Sequence, residues 1–294
     1  MNQSNTLRKY GHCYAWIAPF FLIFLVLQLY PTLYGFYLSL TKYGGLAEPE
    51  YIGFKNFEMM FRDKKVWLSL GNTAVLWALI VPARVFLSAL LGALLNEKKS
   101  LVSKVYMKIV LLPYVTAAIV IAIVFRVLMA TESGAINNFL GLFGIAPIGW
   151  LTDTSFSKIS IALMNLWRMT GYFSLVMLAG IQKIPTAVYE ASLIDGAGMF
   201  RRFFSITLPL MVQEIAFVFL ISTIWVFQNV GDSMLLTKGG PMNSSLSFVY
   251  YTYQNAYEFS NKMGYASALS VMLFMLLLIV SIFLMRFYVR KVED

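Results

Sequence analysis

Cysteine and histidine are almost missing from this 294-residue chain, which carries Cys13 and His12 and no others. One thiol closes no internal disulfide, and one imidazole assembles neither a Ser-His-Asp triad nor a His-based zinc cluster. The pattern G-x-x-x-x-G-K-[ST] is absent too, so no Walker loop cradles a nucleotide. Charge is scarce: 13% of residues are charged, against about 25% in a soluble domain. No basic stripe with interleaved aromatics occurs, so the net charge of +9 does not point to nucleic acid. What fills the chain instead is apolar: 59% hydrophobic residues and a mean hydropathy of +0.71 mark an integral membrane protein.

A helix crosses a hydrocarbon core of about 30 Å with roughly 20 mainly apolar residues. Six runs qualify, at 15–39, 69–95, 105–129, 158–180, 207–230 and 266–288. No segment alternates with the period of two that a membrane barrel requires. The first run is too long for a cleaved signal peptide and has no small-x-small site after it. Cys13 precedes that run, so it is not a lipobox cysteine. The expectation is one all-α membrane domain over 1–294, with no soluble domain.

Orientation follows from loop charge, because Lys and Arg near a span bias a loop to the cytoplasm. Arg8 and Lys9, then Lys98, Lys99, Lys104 and Lys108, then Lys183, Arg201 and Arg202, then Arg286, Arg290 and Lys291 put 12 basic residues on one side. The other side holds 8: Lys158, Lys238 and Lys262, with Lys42, Lys55, Arg62, Lys64 and Lys65 in the 41–67 loop. That loop is the dissenting segment. Both termini and the 184–209 loop are therefore expected in the cytoplasm. Pro31, Pro82, Pro113 and Pro209 sit in or beside spans, either as ordinary kinks or to bend helices around a central space.

The 184–209 loop is unusual for so greasy a chain. Pro185 and Thr186 suit a helix start, "AVYEASLI" continues it, and Gly196 or Gly198 can end it in a left-handed conformation. "MFRRFFSI" then leads into Leu208-Pro209. The result is a compact knob with Glu190 and Asp195 as carboxylates for a basic partner, or an amphipathic interfacial hairpin. Composition does not choose between them.

Ionisable residues at membrane depth are costly and point to function. Arg84, Arg126 and Arg168 lie within spans. Arg126 is near the end of its span and can snorkel. Arg84, beside Pro82, lines a path or pairs with another subunit. Arg168 and Tyr172 share a face of span four, and Ser222, Trp225 and Asn229 share a face of span five, with Val226 between. Such faces serve a ligand or glue helices together. No span holds Asp or Glu at its middle, with Glu214 near one end of span five. An ion-coupled secondary transporter, the competing class, needs such an acid. A scaffold that moves nothing is a third class.

The order Glu190-Ala191-Ser192, Gly196, Ile206, Leu208-Pro209 resembles the EAA-loop signature of permease subunits of binding-protein-dependent ABC importers, departing by Ser192 for the second Ala. "LLPYVTAAIVIAIVFRVL", "LAGIQKIP", "LLTKGGPMNSS" and "MGYASALSVMLF" resemble the sugar branch of that family, on the maltose-permease larger-subunit type. The resemblance covers nearly the whole chain. It implies six membrane helices of the type I importer fold in a bacterial or archaeal inner membrane. It also implies a second related permease subunit, a cytoplasmic ATPase dimer and an extracytoplasmic substrate-binding protein as partners. ATP and Mg would be held by the ATPase, and this chain would be a transport subunit, not an enzyme. Glu190, Ala191, Ser192, Asp195 and Gly196 would couple to the ATPase. Arg168, Met169, Tyr172, Ser222, Trp225, Val226 and Asn229 match positions that contact sugar. Arg168 stands at an apolar position of the family and Trp225 at one with a smaller aromatic. An Arg there suits a carboxylate or phosphate, so a neutral oligosaccharide, an acidic saccharide and a glycerophosphate-type solute all remain open.

Overall fold

The computed structural model describes residues 3–97, 101–259 and 262–293. Lys98 and Lys99 lie outside them, and the side chains of Arg8, Lys9, His12, Cys13, Lys104, Arg290 and Lys291 lie outside the described set. Four helical stretches are long and apolar enough to cross a membrane: Tyr14–Ser39, Lys64–Asn96, Phe156–Ile181 and Met263–Arg286. Two bent pairs bring the total to six, Met107–Val115 with Ala118–Leu128 and Met199–Leu210 with Val212–Gln228. Counted as one span each, the bent pairs complete the six expected spans, the third broken by 98° and the fifth by 75°.

The chain divides into two compact units. The first comprises Met1–Asp63 and Thr252–Met275. It contains α1 (Gln3–Phe24) and α2 (Tyr30–Ser39), joined through a π-turn at Leu25–Leu29. The turn sits just ahead of Pro31, whose nitrogen has no proton to give the carbonyl one turn back. A two-residue antiparallel pairing, Thr41 with Tyr51 and Lys42 with Glu50, closes the following loop. Helix α3 (Lys55–Arg62) is pinned by Asn56, whose Nδ2 donates to the carbonyls of Ser39 and Thr41 at 2.9 and 2.8 Å.

The second unit, Lys64–Tyr251 with Leu276–Asp294, contains the candidate site. Its elements are α4 (Lys64–Glu97), α5 (Leu101–Val115), α6 (Ala118–Leu128), α7 (Ala135–Gly141), α8 (Phe156–Ile181), α9 (Thr186–Ile194), α10 (Met199–Arg202), α11 (Leu208–Leu210) and α12 (Val212–Gln228). Helix α13 (Phe248–Tyr253) straddles the unit boundary, and α14 (Met263–Glu293) passes from the first unit to the second after Met275. Helix α4 packs along α8 and against α12. Pro82 lies inside α4 without interrupting it.

Among the described residues, apolar side chains of these helices contribute to two separate clusters. One includes Leu76 and Ile80 of α4, Ile161 and Met164 of α8, and Val226 of α12. The other includes Ala89 of α4, Phe173 and Met177 of α8, and Val218 of α12. Each helix places a polar residue between its two contributions: Arg84, then Asn165 and Arg168, then Ser222. A polar layer therefore crosses the middle of the unit.

The loop "TESGAINNFLGLFGIAPIGWLTD" folds around Asn137, which is 4% exposed. Its Nδ2 donates to the carbonyls of Thr131 and Ile148, and its Oδ1 accepts from the Ile148 backbone N–H and the Trp150 ring N–H. One amide thus satisfies four groups and closes the loop.

Candidate functional site

The polar layer is built on Asp232, just beyond α12. Helix α12 ends at Gln228, and Asn229 turns extended, at φ −80° and ψ 112°. Asn229 therefore leaves the helical face shared by Ser222 and Trp225, which corrects the continuous face expected from spacing. The cause is local. Asn229 Oδ1 accepts the Asp232 backbone N–H at 2.9 Å, a turn that competes with helix. Asn229 Nδ2 donates to Asp232 Oδ2 at 3.0 Å, and Asn165 Nδ2 donates to the same oxygen. Arg168 Nη2 lies 2.9 Å from Asp232 Oδ1, a charge contact off the hydrogen-bonding axis. Arg84 Nη2 donates to Asn165 Oδ1, and its guanidinium carbon stands 5.3 Å from the Phe173 ring centre.

All three charges are buried: Arg84 is 1% exposed, Asp232 4% and Arg168 9%. A buried ion pair costs several kcal/mol of desolvation per ion, repaid only when the remaining polar atoms are bonded. Here Asn165 links opposite charges through one amide. Arg84 Nε and Nη1, Arg168 Nε and Ser222 Oγ are buried without a hydrogen-bond partner among the described residues.

Beside the layer stand stacked rings. Tyr172 stacks on Trp225 at 5.8 Å between centres and on Tyr114 of α5 at 4.6 Å. From Tyr172 toward the Ile181 end, α8 borders a cavity of about 560 Å³, also lined by Val176, Gly180, Gln213, Glu214 and Phe217. The cavity ends at the Lys183–Glu214 ion pair, 2.9 Å long.

The structure brings Arg168 and Asn229 together through Asp232, and Tyr172 against Trp225. Met169 is half-buried, Ser222 is fully buried, and Val226 packs in the first apolar cluster. Arg84, expected to line a path or meet another subunit, finds Asn165 of its own chain. Arg126 does more than snorkel: its Nε donates to the Leu236 carbonyl at 3.0 Å. Sequence reasoning missed Asp232, Asn165 and Tyr114. Asn165 was findable, since it falls at i−3 from Arg168 and i−7 from Tyr172 on one helical face. Asp232 carried no signal, because a single acid beside Gly231 reads as loop.

Between α8 and α12, α9 and α10 form the expected helix–glycine–helix. Thr186 is the first helical residue rather than the cap, which is Pro185 with no side-chain bond. Gly196, at φ +72°, ends α9, and the Ala197 N–H reaches back to the Ser192 carbonyl at 2.9 Å. Glu190, Ala191, Asp195 and Gly196 are exposed, while Ser192 is buried, its hydroxyl on the Tyr189 carbonyl. Ile194 and Phe200, 87% and 78% exposed, add apolar surface to the knob. Tyr189 Oη meets Thr207 Oγ1 at 3.0 Å and ties the knob to the residues leading into α11 and α12.

The family of binding-protein-dependent transport system inner membrane components matches residues 84–294. The lactose transport system permease protein LacF of Rhizobium radiobacter is 31% identical over 293 residues, covering 98% of this chain and 97% of the relative. The sulfoquinovosyl glycerol transport system permease protein SmoG of Agrobacterium fabrum is 32% identical over 263 residues, 88% of this chain and 84% of the relative. The crystal structure of a bacterial alginate ABC transporter in complex with alginate pentasaccharide-bound periplasmic protein contains a chain with a TM-score of 0.84 and 24% identity, over 97% of this chain and 96% of that one. At that identity the likeness establishes the fold, that of a type I importer permease. The bent six-helix chain, matched by the family from residue 84 to 294 and by permeases over nearly its whole length, belongs to the multi-pass inner membrane components of binding-protein-dependent transport systems.

Proposed function

We propose that this chain is a membrane-spanning subunit of an ATP-driven importer that moves a saccharide into the cytoplasm by alternating access. A second related permease subunit, an ATPase dimer holding ATP and Mg²⁺, and an extracytoplasmic binding protein complete the assembly. The observation that carries the reading is the exposed knob of α9 and α10, bearing Glu190 and a left-handed Gly196 and tied through Tyr189 and Thr207 to the start of span five. A push on it from the cytoplasm reaches α12, and α12 and α8 flank the cavity. The ring of Tyr172, which borders the cavity, offers apolar contact for a sugar, with Trp225 stacked on it, and Arg168, Met169, Ser222, Val226 and Asn229 are the other residues assigned to the saccharide. A cavity of about 560 Å³ falls in the range of small-ligand sites.

Reconstitution of the whole complex in proteoliposomes tests this. Gly196→Pro, which cannot hold a φ of +72°, and Glu190→Ala should leave the chain inserted in the membrane and lower ATP-driven uptake tenfold or more, with ATP hydrolysis no longer stimulated by the loaded binding protein. Full uptake by Gly196→Pro would refute the coupling role.

A further inference from the structure

One cation and two donors converge on one carboxylate in the polar layer: the Arg168 guanidinium by charge, and the amides of Asn165 and Asn229 by hydrogen bonds. A guanidinium flanked by amide donors is the set that would receive the carboxylate of an acidic sugar. Here it is already filled, and by a residue of the same chain. Asp232 Oδ1 faces Arg168, and Oδ2 takes both amides.

The Asp232 turn is anchored on both sides. Asn229 Oδ1 holds its N–H, and the next residue, Ser233, donates its hydroxyl to the Ser245 carbonyl. Moving the carboxylate out would leave Arg168 charged and unpaired in the membrane core, which is costly. A ligand carboxylate would have to displace Asp232 or share Arg168 with it, and two like charges at one cation disfavour each other. Hydroxyl groups face no such competition. Arg84 adds a second positive charge to the layer but offers a ligand no donor, because it is 1% exposed and held by Asn165 against the Phe173 ring. What borders the open space beside the layer is neutral: Tyr172 lines the cavity, with Trp225 and Tyr114 stacked on its ring.

We propose that Asp232 is a specificity-determining residue: it supplies from within the chain the anion that Arg168 would otherwise draw from the ligand, so the site takes saccharides that carry no carboxylate. This rests on the reading above that α8 and α12 hold the saccharide.

The test is direct binding to the full permease–ATPase complex in nanodiscs, without binding protein. The probes are trigalacturonate and its methyl ester, which share rings and linkages and differ in charge. The wild-type chain should bind the ester more tightly. D232N, close to isosteric, should shift the ratio of dissociation constants tenfold or more toward the acid. D232E should keep the wild-type ratio, and R168M/D232N should return to it. A purely structural role would weaken both probes alike and leave the ratio unmoved. A ratio for D232N within twofold of wild type overturns the proposal, as does a shift that survives in R168M/D232N. Failure of the wild-type chain to bind either probe, with D232N equally silent, overturns the saccharide reading of the site along with it.

Discussion

Asn165 does with one amide what two charges need: its oxygen accepts a hydrogen bond from Arg84 and its nitrogen donates one to Asp232. Hydrogen bonds to charged groups are worth about 1.5–3 kcal/mol each. Asn165→Leu, similar in size, should therefore cost about 3 kcal/mol or more, since it strips two buried ions at once. Ser222→Ala should cost almost nothing, because the Ser222 hydroxyl is buried without a partner. Thermal unfolding of the detergent-solubilised chain ranks the two, and a large loss for Ser222→Ala would contradict the unpartnered hydroxyl. Residue by residue, the sequence disclosed what is rare in a membrane: Arg84, Arg126 and Arg168 stood out by cost alone. Their partners stayed hidden, because Asp232 is brought to Arg168 by a turn after span five and no helical periodicity encodes that turn.

At the level of elements, hydrophobic runs located all six spans but not their breaks. Helix α5 ends at Val115 and α6 begins at Ala118, with Thr116 bonding back to the Leu112 carbonyl and Ala117 extended. Nothing in the apolar run distinguishes that break, since Pro113 looks like Pro82, which leaves α4 unbroken. Pro209 is more readable: like Pro31, it follows a π-turn, here Phe203–Thr207, and the 75° bend falls at Met211. Close packing was also hidden. A Cβ on Gly171 would fall on the Val110 carbonyl of α5, which is backbone and has nowhere to go. A Cβ on Gly180 would fall 2.5 Å from Glu214 Cγ, which belongs to a side chain able to swing aside. Gly171→Ala should thus destabilise by about 1–3 kcal/mol, the usual range of overpacking, and Gly180→Ala by clearly less. Gly180→Ala should instead break the Lys183–Glu214 pair, which costs little because Lys183 is largely exposed. Equal losses for the two variants would mean that α5 and α8 do not touch at Gly171.

For the whole chain, sidedness follows from the number of spans together with the distribution of charge. The basic residues divide 12 to 8, and the 41–67 segment alone supplies five of the minority. Within that segment Arg62 is paired with Glu58 one helical turn back, at 2.7 Å. Acids count for little in setting topology, so the pairing does not remove the dissent. The number of spans does more: with six, the 41–67 segment and the α7 loop must share a side opposite the α9 knob, whatever the local charge. An ATPase works from the cytoplasm, so the coupling role proposed for the knob requires the knob to lie there. Three exposed positions read this out in a chain whose native thiol is removed by C13S: Leu46, Leu142 and Ile194, at 95%, 80% and 87% exposure. In intact cells lacking the ATPase subunits, a membrane-impermeant maleimide should label L46C and L142C and spare I194C. Permeabilisation should then expose I194C to the reagent. Labelling of I194C from outside would place the knob where no ATP-hydrolysing subunit can reach it, and the coupling role assigned to Glu190 and Gly196 would fall with it.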